Sequence, residues 1–408
     1  MQLSLLALLF LTLTPIAQSF ESTKVLPQGV RSITFKNVIT SPKARTDGHG
    51  KALSLAEPLA QKLTLKKIID GERDPIKQGL LRAFVDSEKS LSYNDYLGTF
   101  TADLQANIQV FAPIFAIGVH EKLTLAVAIP YYDISTDAKL GFRPNNTSAK
   151  KFMGLLTKPN INQPEEAMTA WNKINNANAE LQSKLIDNGF RSLGTWREQG
   201  FGDITIAAKQ MLINPGPYAI ASFYGLVLPT GRRDNPDILT DLPFGDGQLD
   251  TFFQLTSDQF LNYGFTVNQY LKYTYQAAGH RTIRLGTETD KIQVPKKEAH
   301  FKLGDKIDGG TAVLWEGRSG VGVGFGAVYF RKFADKYEVA APVRQVVEKY
   351  SDQESLYAEG QLSYSSVAAY QRGDSAIPLA IAMNYQKQIS SKNQPVNDLI
   401  TININMFF

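Results

Sequence analysis

The last ten residues, LITININMFF (Leu399–Phe408), decide how the rest of the chain is read. Ile400, Ile402, Ile404, Met406 and Phe408 take every second position, and Thr401, Asn403 and Asn405 stand between them. Side chains alternate faces along a strand, so this segment has one apolar and one polar face. A helix would mix the two sets around its axis. A chain's last residues usually fray. A terminal strand therefore needs neighbours, and its apolar face needs something to lie against.

The same alternation recurs upstream. Leu104, Ala106 and Ile108 alternate with Asp103, Gln105 and Asn107; Val267 and Leu271 stand against Asn268 and Lys272; Leu356 and Leu362 stand against Glu359 and Gln361. These segments run to about 11–15 residues, longer than the usual five or six of a globular strand and suited to a tilted membrane-spanning one. Short connections lie at 118–122, 214–217, 260–262, 316–320 and near 372–375, with long polar stretches at 139–200, 231–247, 277–299 and 336–353. Short turns on one side and long loops on the other fit an outer-membrane barrel with its turns in the periplasm. Hydrocarbon cannot satisfy backbone N–H and C=O groups, so such a sheet must close on itself. The expectation is an all-β, antiparallel, up-and-down transmembrane barrel, bounded by outer-membrane lipid, whose last strand pairs with its first.

Closure with both ends periplasmic requires an even count. The segment GVRSITFKNVIT (29–40) supplies the first strand and brings the expected total to about 12. The first outer loop is then expected over 41–101, a hairpin over 102–138, the second outer loop over 139–200, and the remaining strands over 201–408. Met168, Trp171, Ile174, Leu181 and Leu185 form a helical stripe in the second loop, and a shorter helix is expected from Ile76 to Ser90 in the first. Ile402, Ile404, Met406 and Phe408 resemble the terminal signal that the barrel-assembly machinery reads.

Composition excludes several functions. Of 408 residues 43% are hydrophobic and 20% charged, and the net charge of +4 gives no case for nucleic-acid binding. Cysteine is absent, which removes disulfides, thiolate metal sites and a cysteine nucleophile. The start, MQLSLLALLFLTLTPIAQSF, reads as a signal peptide over 1–19: an apolar run, a break at Pro15, then the small residues Ala17 and Ser19 before a cleavage site. The run is shorter than the roughly 20 residues that span a bilayer.

GVGVGFG (320–326) invites a dinucleotide reading, but its glycines recur at period two and strand-like residues follow where a helix should start. The four histidines, His49, His120, His280 and His300, lack a second ligand at metal-binding spacing along the chain. No cofactor and no catalytic residue is expected. The expected interior face comprises Asp103, Gln105, Asn107, Lys209, Gln248, Asp250, Gln254, Asp258, Asn268, Lys272, Glu359, Gln361, Asn403 and Asn405. Such a face either plugs the barrel with hydrogen bonds or lines a conduit for a small-molecule solute.

Four stretches in order carry a resemblance: GVHEKLTLAVAIPYY (118–132), GFGDITIAAKQMLI (200–213), GLVLPTGR (225–232) and GDGQLD (245–250). Together they resemble the outer-membrane proteins grouped with the MetA pathway of phenol degradation, which are similar in style to the long-chain fatty-acid and toluene channels. The resemblance implies a barrel that passes small, partly apolar molecules. The alternatives are a structural or surface-interaction barrel with a closed lumen, and a membrane-embedded hydrolase. Oligomeric state is left open by the sequence.

Overall fold

A computed structural model describes residues 22–408, apart from 58, 59, 61, 73, 88, 146, 148–171, 173–175, 215 and 287–293. The expected signal peptide, with Ala17 and Ser19, lies outside the described residues, as do Met168, Trp171 and Ile174.

Period-two alternation builds one closed antiparallel barrel of 12 strands. They are β1 (Arg31–Thr40), β2 (Tyr96–His120), β3 (Leu123–Ala128, continuing as Tyr131–Pro144), β4 (Thr195–Phe201, continuing as Ile204–Ile213), β5 (Tyr218–Leu228), β6 (Asp250–Phe260), β7 (Phe265–Gln276), β8 (Lys306–Glu316), β9 (Val321–Lys332), β10 (Gln353–Ser365), β11 (Leu379–Lys392) and β12 (Leu399–Phe407). Each pairs with its chain neighbours, and β12 closes on β1 in a register that sets Phe35 opposite Ile404 and Lys36 opposite Asn403. The closing edge reaches the final residue: Arg31 N donates to Phe408 O at 2.8 Å, and Phe408 N to Arg31 O at 3.0 Å.

The outward face is apolar where all twelve strands overlap. Leu271, Phe325, Leu362 and Ile381 lie exposed on it. Exposed aromatic rings mark its two margins. Tyr273, Tyr275, Tyr329 and Tyr385 stand toward the long-loop end, while Phe265, Trp315, Tyr364 and Phe408 stand toward the short-turn end. An apolar belt of this extent with aromatic girdles belongs against hydrocarbon. No helix among the described residues is long and apolar enough to cross a membrane. After its first glycine, GVGVGFG opens β9 and stays extended. Gly320 turns the chain into it at φ +84°, and the Ser365 carbonyl occupies the space a Cβ would need.

The wall is uneven in height. β2 has 25 residues and β5 has 11. The outer parts of β2, β3 and β4 stand above the rim formed by β5 to β8. Here one sequence expectation is corrected. Asp103, Gln105 and Asn107 are exposed on the outer face, in phase with Phe111, Phe115 and Ile117, while Leu104, Ala106 and Ile108 point inward and are buried. Alternation defines two faces without saying which is inside. Above the apolar belt the outer face meets water, so the polar set belongs outside there and the apolar set packs a core.

β4 changes phase between its two parts. Tyr131 pairs with Phe201, and Ala128 with Thr205, so three residues of β4 oppose two of β3 at this level. Pro130, lacking an N–H, sits at the same height. The result is a β-bulge at Gly202–Asp203. Above it, β4 has, among the described residues, a strand partner on one side only, and the connection 229–249 lies against its other side.

Three helices matter for the loops. α1 (Leu65–Gly71) and α2 (Pro75–Ser87) fold against each other around Leu65, Ile69, Phe84 and Leu97. α3 (Ala177–Asp187) carries Leu181 and Leu185 to the interior core, where Leu185 is fully buried. α1 has no counterpart in the sequence expectations. It is about two turns long, capped by Lys67 N donating to Thr64 Oγ1, and too short to show a periodic stripe.

Candidate functional site

The interior of the barrel has two unlike halves. On β6 and β7 the inward side chains are polar and buried: Asp250, Gln254 and Asp258, then Asn268 and Lys272. They satisfy one another in part. Asn268 Nδ2 donates to Asp258 Oδ1 at 2.6 Å, and Gln254 Nε2 to Thr256 Oγ1 at 2.9 Å. Lys306 Nζ lies 3.8 Å from Asp250, and the Lys272 ammonium sits 4.8 Å over the Phe252 ring. Gln248, just before β6, is buried and its Oε1 accepts from Leu303 N at 3.1 Å. The polar face continues on β10 to β12. Gln386 Nε2 donates to Glu359 Oε2 at 3.0 Å, and Gln361, Asn403 and Asn405 are half-buried on the same side. Lys209 lies half-buried, in phase with the buried Ala207 and Met211.

Opposite this wall, toward the long-loop end, the interior is apolar. Val38, Leu104, Ile108 and Ile134 pack with Leu185, Phe190, Leu242 and Phe244. The last two belong to the connection 229–249, which turns into the barrel.

The stretches that carry the family resemblance converge on that connection. Asp203 Oδ1 accepts from Gly231 N at 2.7 Å. Thr230 Oγ1 accepts from Ile204 N and donates to Gly202 O, each at 3.0 Å. The ring of Tyr132, from the IPYY stretch, stacks on Phe244 with centroids 5.5 Å apart and planes 7° apart. Arg232 clamps the fold: two guanidinium nitrogens bind the Asp241 carboxylate at 2.8 and 2.6 Å, a third bond reaches Leu242 O, and the group lies 4.6 Å over Phe244. A bidentate arginine on a buried carboxylate fixes orientation as well as distance. Sequence order alone could not show that four separated stretches share one node.

The glycines of that node are there for contact. A Cβ on Gly202 would collide with the Tyr132 ring, and one on Gly200 would stand 2.9 Å from Phe244. Gly202→Val is therefore expected to cost about 1–3 kcal/mol by overpacking. Denaturant midpoints read by heat-modifiable gel mobility will measure the loss; a midpoint equal to wild type would show that the rings are not seated against the bulge.

A second obstruction comes from the segment before β1. Thr23 donates through both N and Oγ1 to Asp258 Oδ2, at 2.8 and 2.7 Å, and Leu26 N donates to Thr124 Oγ1 at 2.8 Å. Gly118 leaves room for the carbonyls of Leu26 and Pro27. The segment thus crosses the short-turn end from β1 and β2 to β6. The sequence offered no signal for this crossing, since residues 22–30 have neither alternation nor helical period.

At the long-loop end, Arg284 ties the loops together. It donates to Asp237, to Asn188 O and Gly189 O after α3, and to Val294 O, and its guanidinium lies 3.8 Å over the Phe190 ring. Burial works to raise the Asp237 carboxyl, but bonds from Lys296 and Arg284 hold it below the usual carboxylate range.

Comparison with known proteins places the fold. No family model matches the sequence, and no curated protein matches it. The COG4313 outer membrane channel from Pseudomonas putida F1 is similar in structure over 96% of this chain and 100% of that one, with a TM-score of 0.54 at 10% identity. The toluene transporter TbuX of Ralstonia pickettii aligns over 94% and 90% of the two chains at TM-score 0.37 and 9% identity. A Pseudomonas aeruginosa FadL homologue aligns over 93% and 90% at 0.35 and 7%. The first alignment shows a shared barrel fold.

Proposed function

We propose that the protein is a passive channel of the Gram-negative outer membrane for small, partly apolar molecules, and that it is not an enzyme. The observation that carries this reading is the divided interior: a packed apolar cluster around Phe244 and Leu242, brought in by the connection 229–249, opposite a hydrogen-bonding wall on β6 and β7. A molecule with an apolar body and a polar group can keep both satisfied along such a path. The long loops then face outward and the short turns the periplasm. The apolar C-terminal strand residues Ile402, Ile404, Met406 and Phe408 serve as the handle for the barrel-assembly machinery, and residues 1–19 as the export signal.

The double obstruction, by 229–249 and by residues 22–30, favours one other reading: a closed barrel whose loops bind a partner. Uptake separates the two. Cells displaying the protein should accumulate a labelled small aromatic solute several-fold faster than cells without it, and Phe244→Ala should change that rate. A rate equal to the control for both proteins would favour the closed barrel.

A further inference from the structure

The chain has four histidines, and two of them meet. His280 lies on the strand Gly279–Arg284 and His300 on Lys296–Lys302, directly opposite each other in an antiparallel hairpin at the long-loop end. Their ring centroids are 4.7 Å apart. His300 Nδ1 lies 2.9 Å from Glu338 Oε1, and Glu338 N also donates to His300 O at 3.0 Å. His280 is exposed and His300 half-buried, so both rings are reachable from water.

The geometry assigns this pair as a binding site for a borderline divalent ion of the copper(II), nickel(II) or zinc(II) class. Opposed residues on one face of a hairpin hold their Cβ atoms about 4.5–5.5 Å apart, which lets two imidazoles converge on one ion at about 2.0–2.1 Å each. The Glu338 carboxylate takes the proton side of His300: with Nδ1–H donated to it, Nε2 keeps its lone pair for the metal. No three acidic or histidine side chains among the described residues share an ion position. The site therefore uses two protein ligands and completes its shell with water, which makes it reversible and favours copper(II) within the class. The ligands stand twenty residues apart and are joined by strand pairing, so a spacing pattern could not reveal them. The hairpin also braces the pore connection, because Arg233 donates to His280 O at 2.9 Å. An ion here would stiffen the support of 229–249.

Calorimetric titration of the refolded, untagged, chelator-treated chain in detergent micelles tests this with copper(II), nickel(II) and zinc(II). One saturable equivalent is expected, lost in His280→Gln and in His300→Gln. Glu338→Gln should weaken binding about tenfold or more, as removal of an outer-shell partner does. His49→Gln should leave it unchanged, and heat-modifiable mobility should show every variant folded. No saturable binding by any of the three ions would overturn the assignment. So would a folded His280→Gln that binds as wild type, or loss of binding in His49→Gln.

Discussion

Leu271→Arg will all but abolish recovery of folded barrel, while Gln361→Arg will fold in nearly normal amounts. Leu271 is mid-strand on β7 and 63% exposed on the apolar outer face. A guanidinium at that depth faces hydrocarbon, at a cost of about 2–4 kcal/mol. Gln361 points into the polar interior in phase with Glu359, where an added cation meets a carboxylate. The measurement is the folded fraction after refolding into lipid vesicles, read as heat-modifiable mobility. Equal yields of the two variants would mean that the outer face does not lie against lipid.

Arg232→Met will free the connection 229–249. Asp241 is 1% exposed and receives two bonds from the Arg232 guanidinium. Removing the arginine strands a buried carboxylate, which costs about 3–5 kcal/mol when nothing replaces the pairing. The connection can escape that cost by swinging Asp241 into water. Single-channel conductance should then rise and become noisy, with little loss of barrel stability. Arg232→Met combined with Asp241→Leu should bring conductance and noise back toward the wild-type trace, because no stranded charge remains. Unchanged conductance in the single variant would show that 229–249 does not limit the path.

How much of this was legible in the sequence depended on how local the physics was. Alternation and turn length are local, so the strand count, the pairing of β12 with β1 and the inward phase of Asn268 and Glu359 could be expected from a window of ten residues. The phase of β2 could not. Leu104 and Asp103 alternate as cleanly as Leu271 and Lys272, but they stand above the apolar belt, where the solvent outside is water and the two faces exchange roles. The node around Asp203 was half-legible: its glycines and its Gly-Asp pairs were visible as motifs, but their shared partner Phe244 was not. The crossing of residues 22–30 and the meeting of His280 with His300 rest on contacts between distant segments, which leave no periodic trace.

The uneven wall has a consequence for how the pore can open. The upper part of β4, Thr195–Phe201, has among the described residues a strand neighbour on one side only, and 229–249 covers the other. A bare strand edge is a row of unpaired backbone donors and acceptors, a template for sticking to other chains. The segment that narrows the lumen is thus also the hem of an unfinished sheet. Lifting it fully would bare that hem. Covering that edge holds 229–249 in place for a reason unrelated to any solute, and movements that keep the edge covered are those that tilt Phe244 off Tyr132 with Gly231 still tied to Asp203.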